Sequence, residues 1–423
     1  MAEVTLEFLR DLLKDDYPDV TINSFEGAPG SKRGDNYTSM VYRITIKGTR
    51  PGQAGNEPWE TSIIYKCLPE SIHLREAFKS DELFCNEVAF YNKIWPSLAN
   101  FQKQWDGVED PFKSIPKCYL AQSDTVVLKD LKRQGFVMPD RRQGLTIEQA
   151  YFVLKHLSQF HALSLAMKYH SPEDFYELLN IKDGISEVFF VSENEEYYKN
   201  YYREAIGNAV AMVQEGLEEV EGKDRYLTKF QQFCSENSFF QTMVELVRAQ
   251  EPLAVICHGD CWTNNFLFRY VDGNIAEMYI VDFQMVRYAS PGLDLAYLLY
   301  LCLDRQQRRQ HLTALLAHYV DEMHLRLLQL SEEDSIFNVS LTRDVLFEMM
   351  QEELKRCGRF GLGLALDMYP IMTCDSNEAP NLYQAKENEQ KSHQCNKPVW
   401  TSNEACKKKM TDLVMELVDN GAL

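Results

Sequence analysis

One segment constrains this chain more than any other. Val255-Ile256-Cys257-His258-Gly259-Asp260-Cys261-Trp262-Thr263-Asn264-Asn265 has the form H-x-D-x-x-x-x-N. Two short β-rich runs follow, FLFRYV at 266–271 and MYIVDF at 278–283, with Asp272-Gly273-Asn274 as the turn between them. Asp282 lies at the end of that hairpin, 22 residues after Asp260. A plain polar turn needs Asp and Asn only to satisfy backbone groups. A carboxylate, an amide five residues on, and a second carboxylate closing a hairpin ask for a chemical reason. Phosphoryl transfer to a hydroxyl supplies one. It needs a carboxylate to orient the attacking oxygen and take its proton, and oxygen ligands for a magnesium ion. On this reading Asp260 is the base, and Asn265 and Asp282 are the metal ligands. His258 is expected to hold the loop and Trp262 to pack.

The first third of the chain supplies complementary parts. Thr21 to Phe25, Tyr37 to Lys47, Glu60 to Cys67 and Thr125 to Leu131 are rich in β-formers, and Lys117 to Ala121 is a further candidate. The first three predict an antiparallel meander, and the others are further strands that end this half. Gly48 to Pro58 reads as a Gly/Pro-rich hairpin loop, and a helix carrying Phe84 to Tyr91 is expected to stop before Pro96. Lys66 sits on the apolar strand IIYKC, where a lone ammonium requires a partner. Glu87 on the following helix is the best placed, ahead of Glu76 and Glu82, because its neighbours are apolar. Such a pair sets an ammonium on nucleotide phosphates. The loop that includes Gly34, Asp35 and Asn36 is a candidate to cover those phosphates with backbone N–H groups. The segment Val126 to Leu131, with Leu128 and Asp130, is a candidate to meet the adenine.

From Thr146 the apolar period lengthens from two to about 3.6. Thr146-Ile147-Glu148-Gln149 has the form of a capping box and opens a helix expected to run past His161 to about Met167. Further helices are expected at 194–218 and 223–248. Ser290-Pro291-Gly292-Leu293-Asp294 opens another, with Asp294 in its first turn bracing the Asp260 loop. The polar stretch from Asp375 to Asn403 reads as a long loop. The class expected is therefore α+β: a small antiparallel sheet with one long helix over 1–131, and a larger, mainly helical part over 132–423.

Composition excludes some partners. The 423 residues carry 44 basic and 63 acidic side chains, a formal charge of −19. That surface repels nucleic acid and anionic membranes and makes ATP binding depend on a local positive site. The N-terminus reads as an amphipathic acidic helix with Leu6, Leu9, Leu12 and Leu13 on one side, not as a signal peptide or membrane span. Eleven cysteines without a C-x-x-C pair fit reduced thiols in the cytoplasm better than disulfides or zinc.

HGDCWTNNFLFRY followed by IVDFQMVRYASPGLDLAYLL resembles the insect ecdysteroid kinase-like family, related to choline kinases and aminoglycoside phosphotransferases. GDNYTSMVYRITI, IIYKCLPE, FCNEVAFYNKIWP, VVLKDLKRQGFVMPDR and FGLGLALDMYPIMT also look like family segments, so the resemblance covers nearly the whole chain. It implies a bilobal protein kinase-like fold that uses ATP and Mg2+ to phosphorylate a small-molecule alcohol. Ecdysteroids or hydroxylated xenobiotics are the substrates it suggests, the latter with a part in detoxification. The resemblance also implies that Asp260 is the base, Asn265 and Asp282 the metal ligands, and Lys66 with Glu87 the phosphate-anchoring pair. Gln284 follows Asp282-Phe283 where protein kinases usually have Gly, and the chain passes almost directly to SPGLDL. Both features argue against a protein substrate. Two other readings are a kinase-fold protein that only sequesters a lipophile, and a choline- or ethanolamine-type kinase with a cage drawn from Tyr197, Tyr198, Tyr201 and Tyr202. The acceptor pocket is expected among helices near 183–245 and 350–372.

Overall fold

Alternation of β-formers sets the first sheet. In the computed structural model, which describes residues 4–31, 38–53, 55–180, 184–236, 238–375 and 403–423, β1 (Thr21–Pro29), β2 (Met40–Gly52), β3 (Gly55–Cys67), β4 (Cys118–Gln122) and β5 (Thr125–Lys129) form one antiparallel sheet in the order β1-β2-β3-β5-β4. Period-two alternation gives each strand two faces. Ile63, Tyr65 and Val127 turn to one side, where Leu9 and Leu13 of α1 (Leu6–Leu13) complete a small core. Ile64, Val126 and Leu128 turn to the other, against the main core.

Three expectations for the first part of the chain differ from the structure. β1 continues beyond Phe25 to Pro29, which pairs with Tyr42. Gly48 to Pro58 is not a loop: β2 and β3 pair from Met40↔Cys67 to Gly52↔Gly55. At that end β1 no longer flanks β2 and β5 does not flank β3, so Pro51 and Pro58 lie on open edges where a missing N–H is tolerated. Nor does the helix stop before Pro96. After α2 (Ile72–Ala77), α3 (Ser80–Ala89) passes through a π-helical turn at Phe90–Ile94 into α4 (Trp95–Gln102). Pro96 falls in the first turn of α4, and the wider turn ahead of it accommodates the proline ring.

The remainder is mostly helical. After β6 (Phe136–Val137), α5 (Ile147–His170) begins with the capping box of Thr146 and Gln149. Then come α6 (Pro172–Leu179), which the sequence reading missed, and α7 (Glu195–Gly216). The single helix expected over 223–248 is two, α8 (Lys223–Phe233) and α9 (Phe239–Leu246). The break falls at Ser235, whose carbonyl accepts from the Ser238 and Phe239 N–H groups at 2.9 and 3.1 Å. β7 (Val255–Cys257) pairs with β10 (Arg287–Ala289), and β8 (Phe266–Val271) with β9 (Asn274–Ile280). Asp272 and Gly273 both have positive φ, as a two-residue hairpin turn requires.

The chain ends in α10 (Gly292–Cys302), α11 (Arg305–Gln329), α12 (Ile336–Val339), α13 (Arg343–Thr373) and α14 (Glu404–Asp419). Every residue of α10 is buried. The Arg308 guanidinium fastens α14 to α11 by bidentate bonds to Glu416. Most of the segment expected to be a long polar loop lies outside the described residues. Among those described, no helix is long and apolar enough to cross a membrane.

Candidate active site

Strand parity places the lysine. Lys66 shares its face of β3 with Ile64 and so points toward α3 rather than α1. There its Nζ lies 2.6 Å from Glu87 Oε2 and 2.7 Å from Asp282 Oδ1. The expected partner is thus the observed one, and Glu87 is fully buried. The Phe84 ring lies beneath the ammonium, with Nζ 5.8 Å from its centroid.

The second half of the site is built on the β8–β9 hairpin. Phe266 pairs with Ile280, and the Val281 N–H donates to the Asn265 carbonyl at 3.0 Å. The ladder therefore sets Asn265 and Asp282 side by side at the hairpin base. Asn265 Nδ2 donates to Asp260 Oδ2 at 2.8 Å and to the Asp260 carbonyl at 2.9 Å. Asp282 has φ of +67°, a left-handed conformation that aspartate tolerates better than most residues. Phe283 fixes the turn that follows by stacking on Phe90 with ring centroids 3.8 Å apart.

The loop around Asp260 is pinned from below. Asp294, in the first turn of α10, accepts from the His258 N–H at 2.7 Å and the Gly259 N–H at 2.9 Å. His161 Nε2 lies 3.0 Å from the same carboxylate, and His161 Nδ1 is 2.7 Å from the Tyr319 hydroxyl. His258 bridges Val281 O through Nε2 and the Asp260 N–H through Nδ1. Trp262 is buried packing. His161, Cys257 and Asp294 lie close enough to hold a metal, but each already has protein hydrogen-bond partners.

Several contacts had no signal in the sequence. Tyr297 donates its hydroxyl to Asp260 Oδ1 at 2.7 Å. Asn86 Nδ2 donates to Ser186 O and Gln284 O, while its Oδ1 accepts from the Ser186 N–H. Gln284 Oε1 accepts from Thr38 Oγ1 at 2.9 Å and lies 3.4 Å from Lys66 Nζ. Of the remaining expected positions, Leu128 lies inside β5, paired with Ile64 and Cys118. The Asp130 carboxylate is held by Arg43, Ser62 and the Lys132 N–H. Gly34, Asp35 and Asn36 lie outside the described residues.

Burial and charge oppose each other here. Burial favours loss of the Lys66 proton, but Asp282 and Glu87 outweigh it and hold the ammonium above its ordinary range. Burial lifts the Glu87 carboxyl against the pull of Lys66. Burial also lifts Asp260, helped by the charge of Asp282 and opposed by Tyr297 and Asn265. Asp294 goes the other way: burial would raise it, but His161, His258 and the Gly259 N–H hold it below the usual carboxylate value.

This donor set suits a hard cation bound to phosphate. Asp260, Asn265 and Asp282 offer oxygen ligands, and the Asn265 amide nitrogen is committed to Asp260, which leaves its oxygen end for the ion. A buried ammonium facing an Asp–Asn–Asp group is the construction of an ATP-dependent phosphotransferase with an alcohol group as acceptor. The chain belongs to the ecdysteroid kinase-like family, whose model matches residues 33–332, well over half of its length. It is a family of small-molecule phosphotransferases, and the chain has a mixed α+β fold.

Among solved structures, the chain is similar to the GDP and kanamycin complex of the aminoglycoside phosphotransferase APH(2")-IIIa, at 13% identity over 99% of each chain with a TM-score of 0.38. It is also similar to the apoenzyme of macrolide 2'-phosphotransferase MphH from Brachybacterium faecium, at 11% identity over 85% of this chain and 91% of that one, TM-score 0.33. A third is the streptomycin–ATP ternary complex of APH(2")-IIa, at 12% identity over 89% and 99%, TM-score 0.27. No curated protein matches the chain.

Proposed function

We propose that this chain transfers the γ-phosphate of ATP to a hydroxyl of an ecdysteroid or a similar hydroxylated lipophile or xenobiotic, in the cytoplasm. Residues 1–131 hold the nucleotide, and residues 132–423 carry the catalytic loop and the acceptor. The observation that carries this reading is the position of Lys66, between Glu87 at 2.6 Å and Asp282 at 2.7 Å. One lysine thereby joins the sheet, the helix beside it and the end of the hairpin.

Lys66, oriented by Glu87, anchors the α- and β-phosphates. Asn265 and Asp282 hold Mg2+, which neutralises phosphate charge when bound. Gly34, Asp35 and Asn36 cover the phosphates. Leu128 has its backbone paired within the sheet on both sides, so it is the backbone at Asp130, just past the end of β5, that meets the adenine. Asp260 accepts the proton of the attacking hydroxyl and orients it.

A neutral acceptor suits the helical part better than a choline-like cation. Tyr198 and Tyr202 are buried and pack against Phe240, Phe239 and Phe190 rather than lining an open cage. Arg287 lies over Phe360 in the same aromatic group, with its charge met by Glu187 at 3.1 Å.

The test is ATP consumption with Mg2+ and a panel of ecdysteroids, phenolic glycosides, choline and ethanolamine. Turnover is expected with a neutral polyhydroxylated lipophile and is expected to fall at least about a hundredfold in Asp260→Asn. ATP–Mg2+ binding without turnover on any of them would overturn the proposal.

A further inference from the structure

We propose that Tyr297 is a positioning residue for the reaction: its hydroxyl and the Asn265 amide together fix the plane of the Asp260 carboxylate. This rests on the phosphotransfer reading above and adds to it a residue outside the H-x-D-x-x-x-x-N and hairpin motifs.

The geometry comes from both ends of one carboxylate. Asn265 Nδ2 donates to Oδ2 at 2.8 Å, and Tyr297 Oη donates to Oδ1 at 2.7 Å. Torsion about the last bond of an aspartate is broad and roughly two-fold, so a single donor leaves the carboxylate free to swivel. A donor on each oxygen removes that freedom. Each ionised oxygen keeps a second acceptor site, so the attacking hydroxyl still has a place to bind.

Tyr297 is itself well held. It is 2% exposed, on a helix whose every residue is buried. It follows Asp294 by three positions, and residues three apart share a helix face. α10 therefore reaches the loop twice: through Asp294 to the backbone of His258 and Gly259, and one turn later through Tyr297 to the Asp260 side chain. The backbone contact sets where the loop is, and the side-chain contact sets how its carboxylate is turned. A hydrogen bond to a charged, buried group is among the stronger ones, and small errors in reactive geometry lower rates steeply.

Tyr297→Phe keeps the ring and removes only the donor. The experiment measures Mg2+-dependent release of γ-phosphate from ATP, with water as acceptor and with the best alcohol of the panel. It compares wild type, Tyr297→Phe, Asp260→Asn and the double variant, all as the full chain. Tyr297→Phe is expected to lower kcat about tenfold or more while leaving the KM for ATP within about twofold. In the Asp260→Asn background the same substitution is expected to have no further effect on kcat, because the carboxylate it orients is gone.

Equal losses in both backgrounds, or a fall in melting temperature with kcat unchanged, would show that the hydroxyl only satisfies a buried group, and would overturn the proposal. Absence of any turnover by wild type that binds ATP–Mg2+ would overturn the phosphotransfer reading and this proposal with it. Turnover by wild type with additive variants overturns the Tyr297 proposal alone.

Discussion

Lys66 Nζ and Asp282 Oδ1 are 2.7 Å apart although their residues are separated by 216 positions in the chain. The bond joins β3 to the end of the β8–β9 hairpin, and Glu87 holds the same ammonium from α3. Lys66→Met removes the cation from two carboxylates at once. ATP turnover is expected to fall by about a hundredfold or more. Stability is expected to drop by roughly 3–5 kcal/mol, because a buried carboxylate loses its counter-charge. Adding Glu87→Gln should restore part of the melting temperature and none of the turnover. Recovery of both would show that Lys66 is a structural ion-pair partner alone.

Asn265→Asp separates metal binding from base positioning. The new side chain keeps an oxygen for a cation but replaces the 2.8 Å donor to Asp260 with a second carboxylate. Mn2+ affinity, read by electron paramagnetic resonance in the presence of ATP, is expected to hold or tighten. Turnover is expected to fall at least about tenfold, since like charges this close raise one another's proton affinity.

Asp294 gives a pH dependence with a defined sign. Its carboxyl is held below its ordinary value, so the folded chain binds its proton more weakly than the unfolded chain does. Its stabilising contribution is therefore complete above the ordinary carboxylate pKa and is lost as pH falls through the depressed one. Asp294→Asn is expected to melt well below wild type between about pH 5 and 8, by several kcal/mol when read as unfolding free energy. The gap should narrow below about pH 4. A gap that widens on acidification would contradict the assignment.

Gly259 is required by space as well as by backbone angle. Its φ is +85°, and a Cβ there would lie 1.9 Å from the Met285 carbonyl oxygen. Gly259→Ala is expected to displace the loop from Met285, with loss of activity and a lowered melting temperature. The exposed Gly273 has φ of +84° and open space around it, so Gly273→Ala carries only the backbone penalty. It should leave turnover near wild type.

What the sequence revealed of the site is what lies close together along the chain. Asp260, Asn265 and Asp282 are legible because a five-residue spacing and one hairpin carry them. Lys66 stands out because an ammonium on an apolar strand requires an explanation, and Glu87 because it sits on the next helix among apolar neighbours. Tyr297, Asn86 and His161 escaped because their meaning lies in contacts 37, 198 and 133 positions away. Buried among apolar neighbours, such residues look like ordinary packing. In the fold, the Gly/Pro-rich ribbon and the run through Pro96 were misread for a related reason. Glycine and proline mark loops on average, whereas open strand edges and a π-helical turn are properties of the assembled neighbours.

The β8–β9 hairpin has one further consequence. Its base holds Asn265 and Asp282 through the Val281 N–H to Asn265 O bond, whereas its tip at Asp272 and Gly273 is exposed. The base is a ruler and the tip is a free end. A fluorophore or short epitope spliced between Asp272 and Gly273 would sit outside the ladder and leave that ruler unstretched. The same hairpin that positions Asn265 and Asp282 thus offers an attachment point from which the enzyme can be watched while it works.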